Sequence, residues 1–184
     1  MMPRRAVAAA AAALLLTVTL GVAGCMPEPE PTPTPTGFAS EAEAFAAAEE
    51  TYRAYVDALN QVDLSDPDTF EPVFAWTTGE LNANDREGLS NYHASGVNVS
   101  GTSTIELLAP NDTDLVSFAD LAVCLDVSAI ALQDADGSSL IAPDRPPIQT
   151  LLVYLVPDPD SPTELLVASI GGREGEPLDR KSVV

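Results

Sequence analysis

The chain has 184 residues, 28 acidic against 8 basic, giving a net charge of −20 and a pI near 4.1. So acidic a surface repels phosphate backbones and anionic headgroups, which excludes nucleic-acid tracking and membrane attachment by charge. At 46% hydrophobic it is too apolar to remain disordered, and the 148 residues from Gly37 onward suit one ordinary domain able to bury a core without disulfides.

The first element is an export signal. Arg4 and Arg5 precede an apolar run from Ala6 to Leu20, followed by small residues. That run is about 15 residues, short of the roughly 20 that a membrane-crossing helix needs, so residues 1–24 read as a cleaved leader. Val22-Ala23-Gly24-Cys25 resembles the lipobox of bacterial lipoproteins, with Val22 in the place where Leu is usual. The resemblance implies cleavage before Cys25, diacylglycerol and palmitate-type acylation at that residue, and a lipid anchor on the extracytoplasmic face of the cell membrane, by an export route (Sec or Tat) left open. Two acyl chains hold a protein stably where one holds marginally. Cleavage removes two arginines and no acids, taking the net charge from −20 to −22. The remaining basic residues are Arg53, Arg86, Arg145, Arg173, Arg180 and Lys181, too scattered to bind a bilayer. With Cys25 lipidated, Cys124 is the remaining thiol and is expected to behave as a small buried hydrophobe.

Residues 25–39 hold the lipidated Cys and a Pro/Thr-rich spacer. Within it, MPEPEPTPTPT favours polyproline II, at about 3.1 Å per residue, and would lift the domain off the bilayer. The domain proper is expected over 40–172, with a mobile acidic tail over 173–184. Ser40 and Glu43 have capping-box spacing, and Phe45, Ala48, Tyr52, Tyr55, Val56 and Leu59 form one helical stripe, which predicts a helix from Ser40 to Leu59. Asp66-Pro67 looks like an N-cap with Pro at the first helical position, opening a short helix through Phe70, Val73, Phe74 and Trp76 that Pro72 would shorten or kink. A third helix is expected from Glu80 to Ser95, carrying Leu81, Leu89 and Tyr92 and stopped by Gly96.

Beyond Gly96 the apolar period changes from helical to alternating. Val97, Val99, Ile105 and Leu107 predict a half-buried strand, and Asn111–Asp114 a polar turn. Val116–Leu132 reads as one long extended run, with Leu121, Val123, Leu125 and Val127 on one face and Ala122, Cys124, Asp126 and Ser128 on the other. A turn at Asp134–Gly137 leads into a long polar loop. Ile148–Val156, apolar on both faces, predicts a central strand, and Leu165–Ile170 another before Gly171 and Gly172.

Helices first and about four antiparallel strands after them predict an α+β domain with the helices on one face of a curved sheet. Over residues 40–172 this order resembles the nuclear transport factor 2-like superfamily, the cone-shaped group with SnoaL-like members, and its lipoprotein members in particular. The resemblance rests on the leader and spacer followed by AEAFAAAEETYRAYVDALN and LAVCLDVSAI. It implies a cavity between the long helix and the sheet in which an acid or base could act. The candidates for such chemistry are Asp126, on the Ala122/Cys124 face, and His93, the lone histidine, with Tyr52, Tyr55, Tyr92 and Tyr154 as cavity candidates for orienting a ligand. Each also has a plainer reading. Asp126 would face solvent or bond a neighbouring strand, His93 would sit at a helix end favoured by the dipole, and the stripe of Phe45, Tyr52 and Tyr55 would be core.

Metal and cofactor sites find no support in the spacing. Aligning Gly137 with the invariant glycine of a calcium loop puts Leu132 at the first ligand position and Pro143 at the twelfth, so this segment is a turn. There is no Cys/His cluster for zinc, and no cofactor is implied. The function expected is therefore that of a membrane-anchored extracytoplasmic lipoprotein whose domain binds a small apolar ligand or an envelope protein without catalysis. A homodimer through the sheet is one form this could take. The alternative is a small acid–base enzyme of isomerase, dehydratase or hydrolase type.

Overall fold

The structure is a computed structural model and describes residues 37–173. The leader, Cys25 and its lipidation, most of the spacer and the tail beyond Arg173 lie outside the described residues. Element order is α1 (Glu41–Leu59), a 3-10 turn (Pro67–Thr69), α2 (Glu71–Phe74), α3 (Gly79–Ala94), then β1 (Asn98–Ser100), β2 (Thr104–Thr113), β3 (Ala119–Asp126), β4 (Ala131–Gln133), β5 (Ile148–Pro157) and β6 (Leu165–Gly172). Four strands form one antiparallel sheet in the order β2-β3-β5-β6, and β1 pairs with β4 in a separate ribbon. The helices pack on one face of the sheet, so the domain is α+β as expected.

Helix α1 starts where its capping residues dictate. The Ser40 hydroxyl accepts from the Glu43 N–H at 3.3 Å. The Glu43 carboxylate reaches one residue further back than a standard capping box and accepts from Ala39 N–H at 2.9 Å. The buried stripe of α1 is Ala44, Ala48, Thr51, Tyr52, Tyr55, Val56 and Ala58, while Phe45 and Leu59 are only partly covered. Small side chains thus dominate the contact line, and they let the helix backbone lie close over the sheet. The stripe meets Ala119, Leu121 and Val123 of β3, Val153 and Leu155 of β5, and Leu165 and Val167 of β6 in one core cluster.

The second helical segment splits in two. Asp66 caps the 3-10 turn by accepting from Asp68 N–H, and Phe70 ends that turn and begins α2. Pro72 falls in the first turn of α2, where its missing N–H has no partner to lose, so it starts a helix instead of kinking one. Asn82 then ties α3 to this segment, its amide donating to Phe74 O at 2.9 Å and to Thr77 Oγ1 at 2.9 Å. The Arg86 guanidinium lies 4.0 Å above the Phe74 ring centre. At the other end of α3, Gly96 N–H donates to His93 O and Val97 N–H to Tyr92 O, with Gly96 left-handed at φ 66°. This is the Schellman pattern, which favours glycine at that position.

Three strand boundaries differ from the alternation-based expectation. The turn expected at Asn111–Asp114 is displaced, because β2 continues through it with Asp112 opposite Asp120 and Thr113 opposite Ala119. The chain reverses instead over 114–118, where the Asp114 carboxylate accepts from the N–H groups of Val116, Ser117 and Phe118. The long run Val116–Leu132 is also interrupted. It breaks after Asp126, whose carboxylate accepts from Ser128 N–H at 2.8 Å, and resumes as β4. Finally, the first strand divides into β1 and β2 around Gly101.

Two close contacts fix that division. The Asn60 side chain, just past α1, donates to Ser103 O at 3.0 Å and accepts from Ser103 N–H at 2.8 Å. Gly101 has φ 83°, and a Cβ there would sit 1.9 Å from the Ala129 carbonyl oxygen. Gly101→Ala combines left-handed strain with a displaced backbone, so it is expected to cost at least about 2 kcal/mol. Urea denaturation checks this; a loss below about 0.5 kcal/mol, the range of ordinary surface changes, would mean the two loops are not held together here.

Candidate functional site

The expected dyad is not assembled. His93 Nδ1 lies 2.8 Å from Leu64 O, an acceptor only, so Nδ1 carries the proton, and the ring meets Phe70 edge-on at 6.3 Å. Asp126 stands at the end of β3, paired with Thr104 and Ile148, and is not the hydrogen-bond partner of His93. Ser128, through its hydroxyl and its N–H, holds the Asp126 carboxyl below its ordinary value. A carboxylate so satisfied is a poor proton acceptor near neutrality. Asp126 therefore caps a turn and His93 fastens α3 to the Leu64 loop.

The tyrosines also separate. Tyr52 is 1% and Tyr55 5% exposed, and both fill the layer between α1 and the sheet, where a cavity was expected to receive a ligand. Burial pushes both phenols well above their ordinary values, more so for Tyr55 beside Asp85. The Tyr55 hydroxyl donates to the Asp85 carboxylate at 3.3 Å, joining α1 to α3. Burial raises the Asp85 carboxyl, and the Tyr55 bond partly offsets this. Tyr92 is exposed on α3, and Tyr154 is exposed on the sheet face turned away from the helices.

Surface grooves among the described residues include these two. One, of about 280 Å³, lies between the end of α1 and the start of β2, lined by Arg53, Val56, Asp57, Asn60, Ser103, Thr104 and Ile105. Its floor is the Asn60–Ser103 clasp, and Arg53 is already beside Glu49 at 3.8 Å. The other, of about 420 Å³, runs along the loop after β4, where the Arg145 guanidinium donates to Val127 O at 2.7 Å and so serves the fold.

The outer face of the sheet is the more distinctive surface. Alternation puts Ala119, Leu121 and Val123 toward the helices, hence Asp120, Ala122 and Cys124 outward. Register then aligns two outward rows across the four strands: Asp112, Asp120, Tyr154 and Ser169, and beside it Ala109, Ala122, Leu152 and Gly171. Ala109, Ala122 and Cys124 are buried even on this side, sunk between larger neighbours, and Leu107 and Leu152 are half-buried. Phe118 stacks on Tyr154 with ring centres 5.6 Å apart and planes 17° off parallel. Among the described residues no helix packs on this face.

Asp120 is the anomaly of the row. Its Oδ1 is sealed from solvent and has no hydrogen-bond partner, and burial, with Asp112 opposite as the lesser cause, raises its carboxyl above the ordinary value. Phe118, Asp120 and Asp112 were not singled out in the sequence. Extending the Ala122/Cys124/Asp126 alternation two steps back would have placed Phe118 and Asp120 together, but the cross-strand position of Asp112 depends on a bulge between Pro110 and Asp112.

The raised carboxyl makes a signed prediction. The folded state holds the Asp120 proton more tightly than the unfolded chain does, so this residue's contribution is fully present below the unfolded value and is lost as pH rises through the folded one. Asp120→Asn is therefore expected to melt a few degrees above the parent at neutral pH. The gap should close as pH falls below the ordinary carboxylate range of about 4. Melting curves across that range check it; a variant less stable at pH 7, or a gap independent of pH, would contradict the assignment.

No protein-family profile and no curated protein matches the chain. Among solved structures it is similar to the intermembrane space region of chloroplast protein ARC6, at 9% identity and a TM-score of 0.47 over 69% of this chain and 94% of that one. It is also similar to CagV, a VirB8 homolog of T4SS from Helicobacter pylori, at 11% identity and a TM-score of 0.44 over 71% and 99% of the two chains. An NTF2-like protein of unknown function from Exiguobacterium matches at 11% identity and a TM-score of 0.34 over 64% and 94%.

Proposed function

We propose that the protein is a lipid-anchored extracytoplasmic domain that binds a protein partner on the outer face of its sheet, without catalysis. One observation carries the reading. The helix side of the sheet is occupied by its own core, Tyr52 and Tyr55 included, whereas the outer face leaves Phe118, Tyr154, Leu107 and Leu152 without a covering element among the described residues. Flat surfaces with aromatic anchors serve macromolecular partners, whereas small ligands are held in concave pockets. The Val22–Cys25 lipobox and the Pro/Thr spacer support a tether at Cys25 that leaves the sheet free to meet a neighbour in the envelope.

Two experiments test the two halves of this reading. Mass spectrometry of the membrane-purified protein is expected to find a mature N-terminus at Cys25 bearing acyl mass, and Cys25→Ser is expected to leave the membrane fraction; retention of that variant would refute the anchor. A photo-crosslinking residue at exposed Ile148, on the outer face, is expected to give a discrete adduct with another envelope protein in intact cells. The same residue at Glu50, on the exposed side of α1, should give none. No adduct from Ile148, or equal adducts from both positions, would refute the docking face.

A further inference from the structure

We infer that the outer face takes an arginine-bearing protein segment, the guanidinium lying against the Phe118–Tyr154 stack and pairing with the Asp120 and Asp112 carboxylates. This rests on the reading of that face as a docking surface, and it names the chemistry of the partner.

Asp120 lacks the donors that other aspartates of this chain find. Aspartates at the turns of this chain find backbone donors: Asp114 accepts from three N–H groups, Asp126 from Ser128, Asp134 from Asp136 and Ser138, Asp158 from Asp160. Asp120 lies within a strand, where the ladder already uses the neighbouring N–H groups. Its Oδ1 is sealed without a donor. Its cross-strand neighbours are Asp112, a like charge, and Tyr154, and directly opposed like charges destabilise a strand pair. A like-charge pair with an unsatisfied carboxylate oxygen is a local conflict of the kind that proteins tolerate at functional positions.

Charge and shape select the occupant. An incoming cation relieves the Asp112/Asp120 repulsion from the solvent side of the sheet. The adjacent stack presents Tyr154, 37% exposed, as a ring face beside the carboxylates. Arginine matches both features, since its planar guanidinium stacks on aromatic rings and donates to carboxylates in a fork, whereas lysine offers a compact charge that stacks poorly. The half-buried Leu107 and Leu152 give apolar side chains next to that arginine a surface to cover. A second copy of this chain fits less well. A two-fold contact would set the acidic rows of two chains of net charge −20 against each other.

Fluorescence anisotropy with the full chain and a short labelled peptide alternating arginine and valine tests the inference. The parent should bind it and prefer it to the lysine version. Asp112→Asn with Asp120→Asn should weaken binding by about tenfold or more, while Asp120→Asn alone keeps or raises the melting temperature at neutral pH, a combination that a merely structural role would not produce. Tyr154→Leu should remove the arginine-over-lysine preference. Asp136→Asn with Asp144→Asn, both exposed and equal in charge change, should leave affinity unchanged. No binding, an equal loss in that control pair, or sedimentation showing a dimer that buries Tyr154 would overturn the inference. An Ile148 adduct with an envelope protein but no arginine preference would overturn it while leaving the docking face standing.

Discussion

Everything in this domain depends on how closely α1 can approach the sheet. Ala44, Ala48, Thr51, Tyr55 and Ala58 recur at alternating steps of four and three residues along the helix and are all buried. That row turns small side chains and the Tyr55 ring inward, and Tyr52 packs beside it in the core shared with β3 and β6. At the centre, the Thr51 hydroxyl donates to Ala47 O at 2.8 Å and lies 2.6 Å from Thr163 Oγ1, in the loop before β6. A buried hydroxyl satisfied on both sides adds stability where an unsatisfied one would cost about 1–3 kcal/mol. Along this seam the described core is filled by buried side chains, Tyr52 and Tyr55 among them.

The sheet is closed more carefully at its edges than on its outer face. On the β6 edge, Thr78 N–H donates to Val167 O and Val167 N–H to Trp76 O, which uses up edge groups that would otherwise pair with another chain. On the β2 edge, Pro110 and two bulges interrupt regular pairing. Strand addition is thereby discouraged at both edges, while among the described residues no helix covers the outer face. The acidic character of the chain divides along the same line. Many of its aspartates are turn caps tied to backbone N–H groups and serve the fold, whereas Asp120, inside a strand, is held against its own electrostatics.

Much of the architecture was legible from local patterns, because those patterns are local causes. Ser40 and Glu43 predict the start of α1 by capping chemistry, and Gly96 predicts the end of α3 because its left-handed φ suits glycine. Strand alternation around Leu121 and Val123 predicts which face meets the helices. Errors arose where composition left open which of several neighbouring polar side chains caps the turn. Asn111–Asp114 has turn composition but pairs with β3 because Asp114, not Asn111, caps the reversal. Val116–Leu132 is apolar throughout but is cut where Asp126 finds Ser128, and Pro72 starts a helix because Phe70 ends the turn before it.

The candidate site shows the same division. By itself the sequence determined the acidic charge, the capped helices, the alternating strands and the α+β order, since each follows from composition or from neighbours a few residues away. Which side chains meet across the sheet was a tertiary decision. The Asp112–Asp120–Tyr154 row depends on two registers and a bulge, and the Phe118–Tyr154 stack joins residues from opposite ends of paired strands. The displacement of Tyr52 and Tyr55 from a ligand cavity into the core is tertiary too. A helical stripe of tyrosines reads the same whether it faces a ligand or a sheet, and only the depth to which α1 settles on β3 decides between them.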